Sequence, residues 1–93
     1  MKTQEGKLKD SVKLYLDSIG AYWFMPVQTG YGSATVDFLV CWRGKFYGIE
    51  TKAPKKQATP RQLRICEKIE KAGGRAVVSD RLDLIKHWFE NVA

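Results

Sequence analysis

With 93 residues, 44% of them hydrophobic and 12% aromatic, the chain has the size of a single domain, 1–93, with a small but real core. Lys plus Arg number 16 against 10 Asp plus Glu, a net charge of +6, which suits DNA, RNA or an anionic membrane surface and equally a merely soluble basic protein. One histidine, His87, and two cysteines outside any Cys-x-x-Cys spacing, Cys41 and Cys66, argue against a zinc centre. The polar residues 1–10 and short apolar runs argue against a signal peptide or membrane span, so a cytoplasmic location is expected.

Residues 4–19 are expected to form an amphipathic helix, with Leu8, Val12, Tyr15, Leu16 and Ile19 on one face and Gly20 as its stop. Residues 21–27 carry Tyr22, Trp23, Phe24, Met25 and Val27 and predict a strand that Pro26 confines to an edge or an end. Residues 28–34, with Gly30, Gly32 and Ser33, predict a loop; it lacks the spacing and lysine of a P-loop, so no nucleotide cofactor is expected. Residues 35–42 and 45–52 are two β-prone runs with only Arg43-Gly44 between them, the mark of a tight hairpin. After a polar connection, Thr59, Pro60 and Gln62 spell a helix start with a capping box. That helix is expected to bury Leu63, Cys66 and Ile69 and to end at Gly73-Gly74, and both thiols are expected to be buried and reduced. Residues 75–78 predict a strand, and Ser79 or Asp80 caps a final helix carrying Leu82, Ile85, Trp88 and Phe89. The order α-β-β-β-α-β-α predicts an α/β fold, a hairpin-rich sheet flanked by helices.

The hairpin turns sequence into geometry. If Arg43 and Gly44 form a two-residue turn, Trp42 pairs with Lys45, and the same register carried outward sets Asp37 opposite Glu50. Directly opposed residues share a face, with Cβ atoms roughly 4.5–5.5 Å apart. Two carboxylates there repel, and burial sharpens the conflict, whereas a divalent cation bridging them removes it. Lys52, two residues beyond Glu50, falls on the same face. Thr51 is expected to point the other way while its carbonyl stays near the patch as a further metal ligand. Two acids and an ammonium suit metal-assisted phosphodiester hydrolysis. Ordinary surface charges on an edge hairpin are the alternative; Phe38, Leu39, Val40, Tyr47 and Ile49 make both faces apolar and point instead to central strands.

Asp37, followed thirteen residues later by Glu50-Thr51-Lys52, resembles the PD-(D/E)xK nuclease motif. Gly48-Ile-Glu-Thr-Lys-Ala-Pro and Thr59-Pro-Arg-Gln-Leu resemble, within it, the virus-type replication-repair nucleases, the VRR-NUC group. Val36 stands where many relatives have the proline of the motif name. The resemblance implies a restriction-endonuclease-like α-β-β-β-α-β core with a C-terminal helix and a mixed sheet. It implies a Mg²⁺ or Mn²⁺ ion on Asp37, Glu50 and the Thr51 carbonyl, and Lys52 as the catalytic lysine. It further implies Glu5 as a supporting acid and Gln62 as a site glutamine; a charge favoured by the helix dipole and a capping residue are their respective alternatives. Short standalone members, often encoded by bacteriophages, resemble Holliday-junction resolvases and form homodimers.

The expected function is therefore a metal-dependent, structure-specific DNA endonuclease, homodimeric and acting on branched DNA. A flap or nicking nuclease and a noncatalytic DNA-binding module are the alternatives. Lys55, Lys56, Arg61 and Arg64 are expected to contact phosphate. Trp23, Trp88 and Phe89 are expected in the core, with some at a dimer interface, and His87 on a solvated helix face.

Overall fold

The computed structural model describes residues 2–27 and 35–92. The loop expected over 28–34 lies outside them. The elements run α1 (Gln4–Ser18), β1 (Tyr22–Phe24), β2 (Phe38–Trp42), β3 (Lys45–Thr51), α2 (Pro60–Lys71), β4 (Arg75–Ser79) and α3 (Leu82–Val92), the expected order. Among the described residues, no helix is long and apolar enough to cross a membrane.

The strands lie in the order β1-β2-β3-β4. β1 and β3 flank β2 antiparallel, and β4 runs parallel to β3 across the α2 crossover. β2 and β3 are therefore the central pair. Their register couples Trp42 to Lys45 and Phe38 to Ile49, as the two-residue turn requires. Both turn residues take positive φ, 51° at Arg43 and 77° at Gly44, the backbone that matches the twist of a tight hairpin. The Arg43 guanidinium lies 4.5 Å from the Trp42 ring centroid, which holds this non-glycine residue in place.

The core fills one face of the sheet. Phe38 and Val40 of β2 and Tyr47 and Ile49 of β3 pack on Leu8, Val12 and Leu16 of α1 and on Ile85 and Phe89 of α3. Each side chain of this size contributes roughly 1.5–3 kcal/mol on burial. Thr3 caps α1 by accepting the Gly6 N–H at 3.0 Å. Trp23 and Trp88 pack against this cluster at its margin.

α2 covers only part of the opposite face, over β3 and β4. Gly48 lets it approach: a Cβ there would lie 2.7 Å from Ile69 Cδ1. No residue of α2 is fully buried, and Leu63 is 54% exposed, contrary to the expected burial of Leu63, Cys66 and Ile69. The helical period was right, but a helix resting on half a sheet face buries only its contact line. For the same reason Cys41, on the uncovered part of that face, is exposed rather than buried, and Cys66 is half-buried. Beside Cys41, Tyr22, Phe24 and Phe46 are 74%, 54% and 45% exposed.

Candidate active site

At the end of the sheet where β2 begins and β3 stops, α1 arrives from one face and α2 from the other. Between them lies a cavity of about 650 Å³, lined among others by Glu5, Asp37, Glu50, Lys52, Arg61 and Gln62. Five of the residues expected at the chemical centre thus meet in one place: Glu5 from α1, Asp37 from the entry to β2, Glu50 and Lys52 from β3 and its exit, and Gln62 from α2.

Glu50 is 4% exposed. Its Oε1 accepts the Asp37 N–H at 3.2 Å, and its Oε2 accepts Gln62 Nε2 at 2.8 Å. Lys52 Nζ stands 3.8 Å from the same Oε2, on the face that strand alternation predicts. Burial above all, and then the facing Asp37 charge, push the Glu50 carboxyl up to about 7; Lys52, the Asp37 N–H and Lys9 pull it partly back.

Asp37 is held by Thr51. Its Oδ2 accepts both the Thr51 N–H at 3.0 Å and the Thr51 hydroxyl at 2.7 Å. The Thr51 side chain lies on the other face of β3, as strand alternation predicts; the unexpected feature is that Asp37 reaches it. Asp37 lies in a bend one residue ahead of β2, so its carboxylate is free of strand alternation and wraps around the sheet end to reach a residue on the other face.

Gln62 both closes the capping box and touches Glu50. Its Oε1 accepts the Thr59 N–H and Thr59 Oγ1 accepts the Gln62 N–H, closing the capping box, while its Nε2 reaches Glu50. Glu5 also lines the cavity, where its nearest charged partner is Lys9, whose Nζ is 3.2 Å from Glu5 Oε2 and 3.9 Å from Asp37 Oδ1. Lys9 escaped the sequence reading. An i, i+4 partner of an acid on a polar helix face looks like ordinary solvent pairing, and only the docking of α1 against β2 reveals the second contact.

The four cations expected on phosphate do not cluster. Arg61 lines the acidic cavity, while Lys55 and Lys56 line a separate one of about 480 Å³ with Leu63, Ser79 and Asp80. Lys55 takes a positive φ of 65° and donates its backbone N–H to Asp80 Oδ2 at 2.9 Å. Arg64 lies exposed on α2. His87 is exposed on α3, paired with Asn91.

Among the described residues, no group of three or more His, Cys, Asp or Glu side chains is placed to hold a metal ion. The donor set on offer is the Asp37–Glu50 pair, all hard oxygen. That composition fits Mg²⁺ or Mn²⁺, which take one or two carboxylates and complete their shells with water and phosphate.

Neither a family model nor a curated protein sequence matches the chain. Among solved structures, a protein described as a VRR_NUC domain superposes with a TM-score of 0.82 at 23% identity, over 99% of this chain and 100% of that one. The chain has the VRR_NUC domain fold: a mixed four-stranded sheet with three helices.

Proposed function

We propose that this chain is a metal-dependent nuclease that hydrolyses phosphodiester bonds in DNA, with Asp37, Glu50 and Lys52 as its reacting groups. One observation carries the reading. Two facing carboxylates, one of them buried and pushed up to about 7, share a cavity with a lysine 3.8 Å from the buried one. No structural purpose accounts for a costly like-charge pair in so small a domain; a divalent cation does. The fold shared with a VRR_NUC domain supports the same reading.

A Mg²⁺ or Mn²⁺ ion held by Asp37, Glu50 and the Thr51 carbonyl would supply Lewis-acid polarisation of the phosphate and a more acidic water. The chain's own residues do the rest. Thr51 fixes Asp37 through two hydrogen bonds, leaving Oδ1 turned away from it. Gln62 and the Asp37 N–H hold the two Glu50 oxygens apart. Lys52, 14% exposed in its side chain, brings a partly desolvated positive charge to the place where negative charge grows on the phosphate. Arg61 at the same cavity positions the DNA backbone.

The substrate we place among branched DNAs such as Holliday junctions, cut by a homodimer. Two strands require two sites, and a symmetric pair of short chains supplies them. The exposed sheet face around Tyr22, Phe24 and Phe46 supports a second copy there, since it bears apolar groups on a strongly basic chain.

The test is cleavage of labelled duplex, flap, splayed and four-way DNA with and without Mg²⁺ or Mn²⁺, beside Asp37→Asn. Cleavage is expected only with metal and only in the wild type. Cleavage that survives chelation or Asp37→Asn overturns the chemistry. Binding without cleavage identifies a noncatalytic module, and cutting confined to flaps or nicks reassigns the substrate. A monomer in light scattering, with and without junction DNA, overturns the dimer.

A further inference from the structure

Resting on the metal reading above, we propose that Lys9 is a resident counter-ion of the site that competes with the divalent metal for Asp37. The carboxylate of Asp37 has two distinguishable oxygens. Thr51 takes Oδ2 with both its N–H and its hydroxyl. Oδ1 faces the Lys9 ammonium at 3.9 Å. Lys9 is in turn held by Glu5 Oε2 at 3.2 Å, one helical turn earlier on α1, and its side chain is only 27% exposed. The ammonium therefore stands between two acids of the cavity, and its charge reaches Glu50 as well.

The charges explain why such a cation is there. Glu5, Asp37 and Glu50 line the cavity, and Lys52 approaches Glu50 rather than Asp37. Without Lys9, Asp37 would face Glu50 with hydrogen bonds but, among the described residues, no positive partner. A cation entering at Asp37 Oδ1 meets Lys9 already beside that oxygen, and like charges at about 4 Å in a partly desolvated site repel appreciably. Glu5 offers the displaced ammonium a place to remain, since its contact with Lys9 is the shorter of the two. Lys9 thus sets metal affinity from within the protein, acting through Asp37 as a positioning residue.

The test compares full-length wild type, Lys9→Met and Lys9→Arg. Mn²⁺ affinity is measured by titration calorimetry, and the melting temperature with chelator and with saturating Mn²⁺. Lys9→Met is expected to bind Mn²⁺ about three- to tenfold more tightly. It should melt lower than wild type in chelator and gain more from Mn²⁺. Lys9→Arg, which keeps the charge, should retain wild-type affinity. A helix salt bridge with no role at the metal would lower the melting temperature of Lys9→Met and leave its Mn²⁺ affinity unchanged. That result, or weaker binding, or equal changes in both variants, overturns the proposal while leaving the metal reading intact. Failure of the wild type to bind Mn²⁺ overturns both.

Discussion

The side-chain amide of Gln62 ties Glu50 to the start of α2: Nε2 donates to Glu50 Oε2 at 2.8 Å while Oε1 accepts the Thr59 N–H at 3.0 Å. Two substitutions separate the cap from the contact with Glu50, since Thr59→Ala removes only the Oγ1 that accepts the Gln62 N–H, whereas Gln62→Ala removes both side-chain contacts. Thr59→Ala should cost about 1 kcal/mol through the lost cap and leave cleavage near wild type. Gln62→Ala should cost a similar amount of stability but lower cleavage about tenfold or more, because the acid loses its orienting donor. Urea unfolding paired with single-turnover cleavage reads both.

Glu50 makes stability depend on pH in an unusual direction. Its carboxyl titrates near its ordinary 4.5 in the unfolded chain and at about 7 in the folded one. Between those values the folded state holds the extra proton, so this contribution is complete below about pH 4.5 and is lost as pH rises through 7. The loss amounts to at most about 3 kcal/mol. Glu50→Gln should remove the slope over this window. Mn²⁺, which favours the charged form, should stabilise the wild type more at pH 8 than at pH 6. Thermal melts across pH, with and without metal, provide the measurement.

Thr51 is 1% exposed and spends its hydroxyl on Asp37. Thr51→Val keeps the β-branched shape and the backbone N–H bond while deleting that donor. Removal of one partner of a buried charged hydrogen bond should cost about 1–3 kcal/mol. Cleavage should fall with it, since Asp37 would keep one tether instead of two. Thr51→Ser, which restores the hydroxyl, should recover most of the cleavage.

Gly48 spaces α2 from the sheet. A methyl group there would sit 2.7 Å from Ile69 Cδ1 and 3.1 Å from Val36 Cγ2. Gly48→Ala should cost about 1–3 kcal/mol through overpacking. It should also weaken cleavage by carrying Gln62 away from Glu50. Pairing Gly48→Ala with Ile69→Val makes room and should recover part of both losses.

Three of the four cations, Arg61 on one side and Lys55 and Lys56 on the other, divide between two cavities, and their salt dependence should divide as well. Arg61→Ala should flatten the log–log slope of DNA binding against salt by about 1, as loss of one phosphate contact requires. Lys55→Ala and Lys56→Ala should do the same if the DNA also passes over the second cavity. An unchanged slope in the lysine variants would confine the footprint to the acidic cavity.

Much of this site could be read from residue order because it rests on local rules. The Arg43-Gly44 turn sets the register, the register brings Asp37 and Glu50 to the same end of the central strand pair, and alternation brings Lys52 to the side of Glu50. Thr59, Pro60 and Gln62 announce the helix that closes the site from the other face. The parts that could not be read depend on tertiary placement. The reach of Asp37 to Thr51 follows from its lying just outside β2. The contact of Lys9 with Asp37 depends on how α1 docks. The exposure of Leu63 and Cys41 follows from α2 covering less than a sheet face, which no periodicity encodes.

The turn at Arg43-Gly44 sits at the far end of the hairpin from the acids it brings together. It works as a ruler: its length, counted in residues, decides the phase in which two strands meet. One residue more, absorbed as a shift in pairing, would exchange the inward and outward sides of one strand relative to the other and part Asp37 from Glu50, although every motif residue would still be present. The geometry of the proposed active site is thus stored partly as a distance along the backbone, in two residues that lie at the opposite end of the hairpin from it.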